Sequence, residues 1–346
     1  VIEVTGVKGK TSIVYMLREI FKDFKPLILS SLGVEVEENG NWKLLKRDIS
    51  ITPANIITAW ELGQNYDPGI FLVETSLGGT GLGRIGILTN VAEDYSIAAG
   101  SKTASQAKTQ IFKDELVISD LASFNKFYVE FEEKTNTFSL DEGNVKASHI
   151  SYGLKETIFQ VEVQELKTMS GEIVTGIFKI ETFAPAPYHV ENVLSSICAS
   201  LTCGLSPDTI RSGLKRFHGL KGRTSLRYLD GTIVIEEINP GINVTAVKKA
   251  LEMVEELPKS TVIFGGKYGV TCEEIDEESL STVLNELNGG VGLILADEVG
   301  AALKRRVKRK FSYMEDITHA VDYAHKNNYQ HILLIYRSNF NDLNHR

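Results

Sequence analysis

The sequence predicts an α/β protein of two domains, a larger phosphate-loop domain on a parallel sheet followed by a smaller Rossmann-like one, and three observations carry the prediction. Residues 1–4 are rich in β-branched side chains and run straight into a glycine loop, after which Ile13, Leu17, Ile20 and Phe21 recur at helical spacing. Two short apolar runs bounded by glycines, residues 69–73 and 85–88, have the composition of strands buried on both faces of a parallel sheet. Beyond a Gly-containing turn at residues 217–222 the strand and helix alternation starts again. A chain of 346 residues fits two domains at roughly 150 residues each, here taken as 1–220 and 221–346.

The opening strand–loop–helix order puts the loop amides at a helix N-terminus. The strands at 69–73 and 85–88 end in Glu74 and in Thr89-Asn90, and polar residues beyond the carboxyl ends of such strands sit where open α/β sheets bind ligands. From 156 to 183, alternating residues, a Ser170-Gly171 turn and a second β-rich run predict an antiparallel hairpin on the flank of the first domain. Val190, Val193, Leu194, Ile197 and Leu201 form a helical stripe. The second domain reads as strand 232–235, helix 244–256, strand 261–264, helix 278–287, strand 293–296, two further helices and strand 332–335.

Composition narrows the function. With 42% hydrophobic and 24% charged residues the chain has the make-up of a globular protein. A net charge of −8 argues against general nucleic-acid binding, which needs surplus Lys and Arg to displace counterions, and no apolar run is long enough for a bilayer. Cys198, Cys203 and Cys272 have no paired spacing, so neither a disulfide framework nor a zinc site is expected, and a reducing cytoplasm fits. The chain begins inside a strand pattern without Met, so residues upstream of Val1 are expected. A small-molecule substrate is the remaining expectation.

The chemistry concentrates in Gly6-Val7-Lys8-Gly9-Lys10-Thr11-Ser12. Glycines let backbone N–H groups converge on phosphate, lysine adds positive charge, and a Thr hydroxyl can ligate magnesium. The full GxxxxGK[ST] pattern is missed at Val4, but the strand-to-helix context supports a phosphate loop. Among the acids, Glu74 is the preferred partner of Thr11 on magnesium because hard cations take oxygen donors; its plainer reading is a strand-end acid paired with a cation.

The segment 4–12 resembles the phosphate loop of the Mur ligase family, ATP-dependent ligases of peptidoglycan precursor and folylpolyglutamate synthesis, and further matches follow in the family's order. Phe71-Leu72-Val73-Glu74-Thr75-Ser76 is similar to the strand ending in a magnesium-binding glutamate, and Leu88-Thr89-Asn90-Val91-Ala92-Glu93-Asp94-Tyr95 to the TN-x-x-x-DH stretch. Ala107-Lys108-Thr109-Gln110-Ile111-Phe112 is similar to a segment whose lysine is carbamylated in many members and serves the metal site. His189-Val190-Glu191-Asn192 resembles a helix start whose second Asn meets adenine, and Gly222-Arg223 the Gly-Arg whose arginine approaches the γ-phosphate.

The resemblance therefore implies ATP and Mg2+ as cofactors. It implies ATP contacts from Gly6, Val7, Lys8, Gly9, Lys10, Thr11, Ser12, Asn90, Asn192 and Arg223, metal contacts from Thr11, Glu74 and carbamylated Lys108, and catalytic parts for Lys10, Lys108 and Arg223. It also implies an amino-terminal domain that these residues do not contain.

Three departures stand out: Tyr95 replaces a metal-binding histidine, Val190 replaces the first Asn of the adenine stretch, and Glu236-Glu237-Ile238-Asn239-Pro240-Gly241 lacks the histidine of the acceptor motif. These segments, with Glu74-Thr75-Ser76-Leu77-Gly78-Gly79-Thr80-Gly81 and residues 264–274, resemble most the archaeal branch that closes the carbocyclic ring of a nickel tetrapyrrole. An amide-forming ligase, pseudomurein or folylpolyglutamate-like, is the alternative within the family, and a phosphate-loop kinase or nucleotide switch the alternative outside it.

Plainer readings attach to other residues. Lys108 could be a solvated helix lysine, His189 a packed or capping residue, and Cys198 and Cys203 core thiols. The basic run Lys304-Arg305-Arg306-Val307-Lys308-Arg309-Lys310 reads as a solvated helix face, or as a seat for a polycarboxylate substrate.

Overall fold

The computed structural model describes residues 1–92, 94, 96–97, 102–221, 223–270 and 274–338, and the chain divides into two compact units, Val1–His218 and Gly219–Arg346. Glu93, Tyr95, Gly222 and Cys272, all weighed in the sequence, lie outside the described residues.

The first unit runs β1 (Ile2–Thr5), α1 (Lys10–Ile20), β2 (Pro26–Ser30), β3 (Gly33–Glu38), β4 (Asn41–Lys46), α2 (Asn55–Gly63), β5 (Ile70–Glu74), β6 (Ile85–Leu88), β7 (Ser96–Ile97), β8 (Lys102–Thr103) and α3 (Ala104–Lys108). It continues with β9 (Leu116–Asp120), α4 (Leu121–Phe127), β10 (Thr135–Phe138), β11 (Val145–Ser151), β12 (Thr157–Lys167), β13 (Ile173–Thr182), α5 (Pro187–Thr202) and α6 (Pro207–Lys215). Its main sheet has the order β13-β12-β11-β10-β9-β6-β1-β5-β2-β3-β4.

The centre of that sheet, from β9 to β2, is parallel. Every side chain of β1, β2 and β6 is buried, as the unbroken apolar runs require of strands covered on both faces. β1 lies between β5 and β6, so the chain leaves its carboxyl end where the strand order reverses, and that switch point is where open α/β sheets form their ligand crevice. The expected hairpin is β12 with β13, antiparallel at the sheet's edge. Helix α1 packs through Ile13, Val14, Leu17 and Ile20; Phe21, counted into its stripe, is the residue that ends it.

The second unit runs β14 (Ser225–Leu229), β15 (Thr232–Ile238), α7 (Val244–Leu251), β16 (Ser260–Gly266), α8 (Glu277–Glu286), β17 (Gly292–Ala296), α9 (Asp297–Leu303), β18 (Ser312–Met314), α10 (Ile317–Lys326) and β19 (His331–Arg337). Its sheet order is β14-β15-β19-β16-β17-β18, parallel except at the β14 edge. Ile263, Ile294, Leu334 and Tyr336 build its core with Ala320 and Ala324 of α10.

Two expectations here are corrected. Helix α7 stops at Leu251 rather than 256, because Met253 and Val254 donate to Ala250 and Leu251 three residues back and tighten the chain into turns. The basic run 304–310 is not a helix face, since α9 ends at Leu303; Val307 is buried, and Arg309 donates to the carbonyls of Leu287, Asn288 and Val291. Arg309 thus ties two loops together.

Candidate functional site

The loop after β1 is held in shape by its own lysine and by the strand beside it. Lys10 Nζ donates to the carbonyls of Gly6 at 3.1 Å and Val7 at 3.5 Å. From the end of β6, Asn90 accepts Val7 N on its carbonyl at 2.9 Å and Lys8 N on Oδ1 at 3.3 Å, while its Nδ2 and the Thr89 hydroxyl both donate to Lys8 O. Gly9, at φ 86°, caps α1 in the left-handed region that glycine takes at no steric cost. A Cβ there would also collide with Asn192 Oδ1, so the close approach of loop and α5 depends on this glycine. Ser12 follows on the first turn of α1.

Thr11 and Glu74 meet as expected. The Thr11 hydroxyl lies 3.0 and 3.1 Å from the two Glu74 carboxylate oxygens, and Glu74 is only 2% exposed. Ser31, just past β2, completes the group: its N–H donates to Glu74 Oε2 at 2.9 Å and its hydroxyl lies 3.1 Å from Thr11 Oγ1. Glu74 is not bonded to Lys or Arg among the described residues, which removes the strand-end ion pair as its explanation. Oxygen donors at the mouth of a phosphate loop fit magnesium, which takes one or two carboxylates and completes its sphere with water and phosphate oxygens. Among the described residues no cluster of three or more His, Cys, Asp or Glu forms another metal site.

Lys108 is not a solvated lysine. It ends α3 with 1% of its surface exposed, and burial, reinforced by the nearby Lys10 charge and opposed by Asp94, pulls its amine down to about 8. Asp94, from the segment after β6, accepts Ser105 N at 2.8 Å and Ser105 Oγ at 2.9 Å. Burial works to raise Asp94, but these bonds overcome it and hold the carboxyl below its ordinary range. A Thr103–Gln106 capping box fixes the start of α3, and Tyr128 donates to Ser105 O at 2.8 Å.

The residues that the resemblance assigns to adenine, Asn192 and its neighbours, come from α5. Asn192 is 8% exposed and faces Gly9, one turn beyond the helix start. His189 packs between Phe183 and Tyr188, and burial lowers its imidazole to about 3, which keeps it neutral. Arg223 belongs to the second unit.

Lys10, Thr11, Glu74, Asn90 and Asn192 are thus brought around one loop, with Lys108 within electrostatic reach of Lys10. Sequence reasoning placed Thr89 with Asn90 at the strand end where ligands bind, but missed Ser31 and gave Asp94 no part. The available signal for Ser31 was an apolar run, 26–29, ending in two serines as 69–73 ends in Glu74.

A doubly wound sheet with a glycine loop at the switch point, a buried acid on the loop threonine and a buried lysine beyond go with a Mur-ligase-like fold, and solved structures show that fold. MurF from Acinetobacter baumannii aligns with a TM-score of 0.70 at 14% identity over 98% of this chain and 73% of its own. MurF of Thermotoga maritima in complex with ADP aligns at 0.67 and 17% identity, covering 97% and 76%. Sequence is more specific: residues 226–339 match the family model described as Coenzyme F430 synthetase CfbE, C-terminal domain. The chain is 30% identical over 307 residues to the coenzyme F(430) synthetase of Methanocaldococcus jannaschii, covering 88% of this chain and 66% of that protein. It is 26% identical over 306 residues to the coenzyme F(430) synthetase of Methanosarcina acetivorans, covering 83% and 65%. The chain therefore spans just under two thirds of the length of these curated relatives.

Proposed function

We propose that the chain uses ATP to activate a carboxylate of a nickel tetrapyrrole as an acyl phosphate and closes a carbocyclic ring on it, as a coenzyme F-430 synthetase. The observation that carries this reading is the buried Thr11–Glu74 pair at the mouth of the loop, in a chain whose similarity to two coenzyme F(430) synthetases runs over more than 300 residues.

The loop amides and Lys10 hold the β- and γ-phosphates, and Asn192 meets the adenine. Thr11 Oγ1 and Glu74 would hold magnesium, which when bound neutralises phosphate charge. A substrate carboxylate oxygen attacks the γ-phosphorus as its bond to ADP breaks, and Lys10 stabilises the charge gathering on the transferred group. A carbon of the same macrocycle then attacks the acyl carbon, loses its proton, and phosphate leaves. Both reacting carbons are held in one molecule, where effective molarities of about 10⁵ M or more remove much of the entropic barrier. An acceptor-side histidine is then dispensable, which accounts for Glu236-Glu237-Ile238-Asn239-Pro240-Gly241. Arg223 adds a cation to the transferred phosphoryl.

As a carbamate, Lys108 would be a further ligand of the magnesium. Its lowered amine supplies the neutral nucleophile that CO2 requires, and conversion to an anion turns the repulsion from Lys10 into attraction. Phosphate release from ATP tests the whole reading. It is expected with a seco nickel tetrapyrrole acid and no amine present, whereas dependence on an added amino acid makes the chain an amide ligase and a stable phosphorylated product makes it a kinase.

A further inference from the structure

Helix α3 also borders a cleft away from Lys108, of about 310 Å³, whose other wall is the segment following Glu74. Lys102 and Lys113 stand on this cleft with Gln106, and no acidic residue lines it, in a chain that carries 45 acids against 37 Lys and Arg. Neither lysine enters an ion pair among the described residues. Gln106 uses Oε1 on Thr103 N, which leaves its Nε2 as a donor. Pro53 and the half-exposed Leu77 give the cleft an apolar edge.

The walls are built rather than incidental. Buried Glu3 of β1 takes Thr80 N at 2.5 Å and the Thr80 hydroxyl, and Gln110 Nε2 donates to Thr80 O at 2.9 Å, so the segment is pinned from both sides. Gly78, at φ 100°, allows that segment to lie directly on the Ala107 carbonyl, where a side chain would collide. Gly78 is four residues from Glu74, so the cleft is within about 14 Å of chain from the acid placed on the metal. A volume near 310 Å³ is at the small end of ligand sites and holds a side arm rather than a macrocycle.

We propose that this cleft is an anion subsite in which Lys102, Lys113 and Gln106 grip a carboxylate arm of the substrate other than the one being activated, with Leu77 and Pro53 against the apolar body. The proposal rests on the ring-closure reading for its ligand, a polycarboxylic tetrapyrrole. Its consequence is selection of which carboxylate reaches the γ-phosphate.

The test is equilibrium binding to the full chain, wild type against the double variant Lys102→Gln/Lys113→Gln, with ADP, a seco nickel tetrapyrrole acid and triglutamate as probes. The expected result is unchanged ADP affinity, which reports an intact fold, and about tenfold weaker tetrapyrrole binding that Lys102→Arg/Lys113→Arg restores. Equal tetrapyrrole affinity in wild type and double variant overturns the subsite and leaves ring closure standing. If the wild type ignores the tetrapyrrole but binds triglutamate, and the double variant loses it, ring closure falls and the anion subsite stands. Failure of the wild type to bind either probe overturns the subsite.

Discussion

The Lys10 ammonium donates to the Gly6 and Val7 carbonyls of its own loop at 3.1 and 3.5 Å, and Lys10 is not among the buried residues of the core, so its removal bears on the loop more than on packing. Lys10→Ala is expected to lower ATP-dependent turnover by about 10³-fold or more while unfolding stability stays within about 0.5 kcal/mol, measured by phosphate release and thermal melting. On the proposed carbamate, Lys108→Ala is expected to be similarly inactive but to recover turnover with added short carboxylates, which would replace an anionic oxygen donor; a variant with wild-type activity would remove Lys108 from the metal site. Asp114 gives a pH prediction. Burial, with Glu3 beside it, raises its carboxyl from 3.8 to about 7. The folded chain therefore keeps a proton that the unfolded chain releases, and stability falls as pH rises from about 4 to about 7, staying reduced above that. Asp114→Asn keeps an acceptor for Gly83 N and should stabilise the chain by about 2 kcal/mol at pH 8 and hardly at all at pH 4. A lower melting temperature at pH 8 would contradict this. Lys10, Thr11 and Glu74 were legible in the sequence because loop chemistry and strand ends are local. Ser31 and Asp94 were not, because their meaning depends on which segments become neighbours.

At the scale of elements, α3 is too short to stand on propensity and depends on what caps it. Asp94→Ala removes the carboxylate that accepts Ser105 N and Ser105 Oγ and a nearby negative charge that favours the Lys108 ammonium. The expected loss is about 1 kcal/mol of stability, read by denaturant unfolding, with reduced turnover because Lys108 loses its fixed position; unchanged stability would mean that the capping box suffices alone. The central strands were readable because burial on both faces forces unbroken apolar runs. The β2–β3–β4 extension was not: β4 reads Asn41-Trp42-Lys43-Leu44-Leu45-Lys46, largely exposed and without clean alternation. The hairpin of β12 and β13 was legible because β12 alternates buried and partly exposed side chains along most of its length.

At the scale of the molecule, the second unit was legible as an α/β domain because its strands β15, β16, β17 and β19 are apolar runs separated by helical stripes. The proposed substrate rests on family resemblance, since a phosphate loop specifies the nucleotide and leaves the carboxylate open. The nickel tetrapyrrole is accordingly the point on which the account stands. The most direct measurement is mass spectrometry of a seco nickel tetrapyrrole acid incubated with the purified protein, ATP and magnesium. The account predicts a tetrapyrrole lighter by one water, with one ADP and one phosphate formed for each ring closed and no amine required; an unchanged tetrapyrrole beside phosphate release that needs an added amine would contradict it.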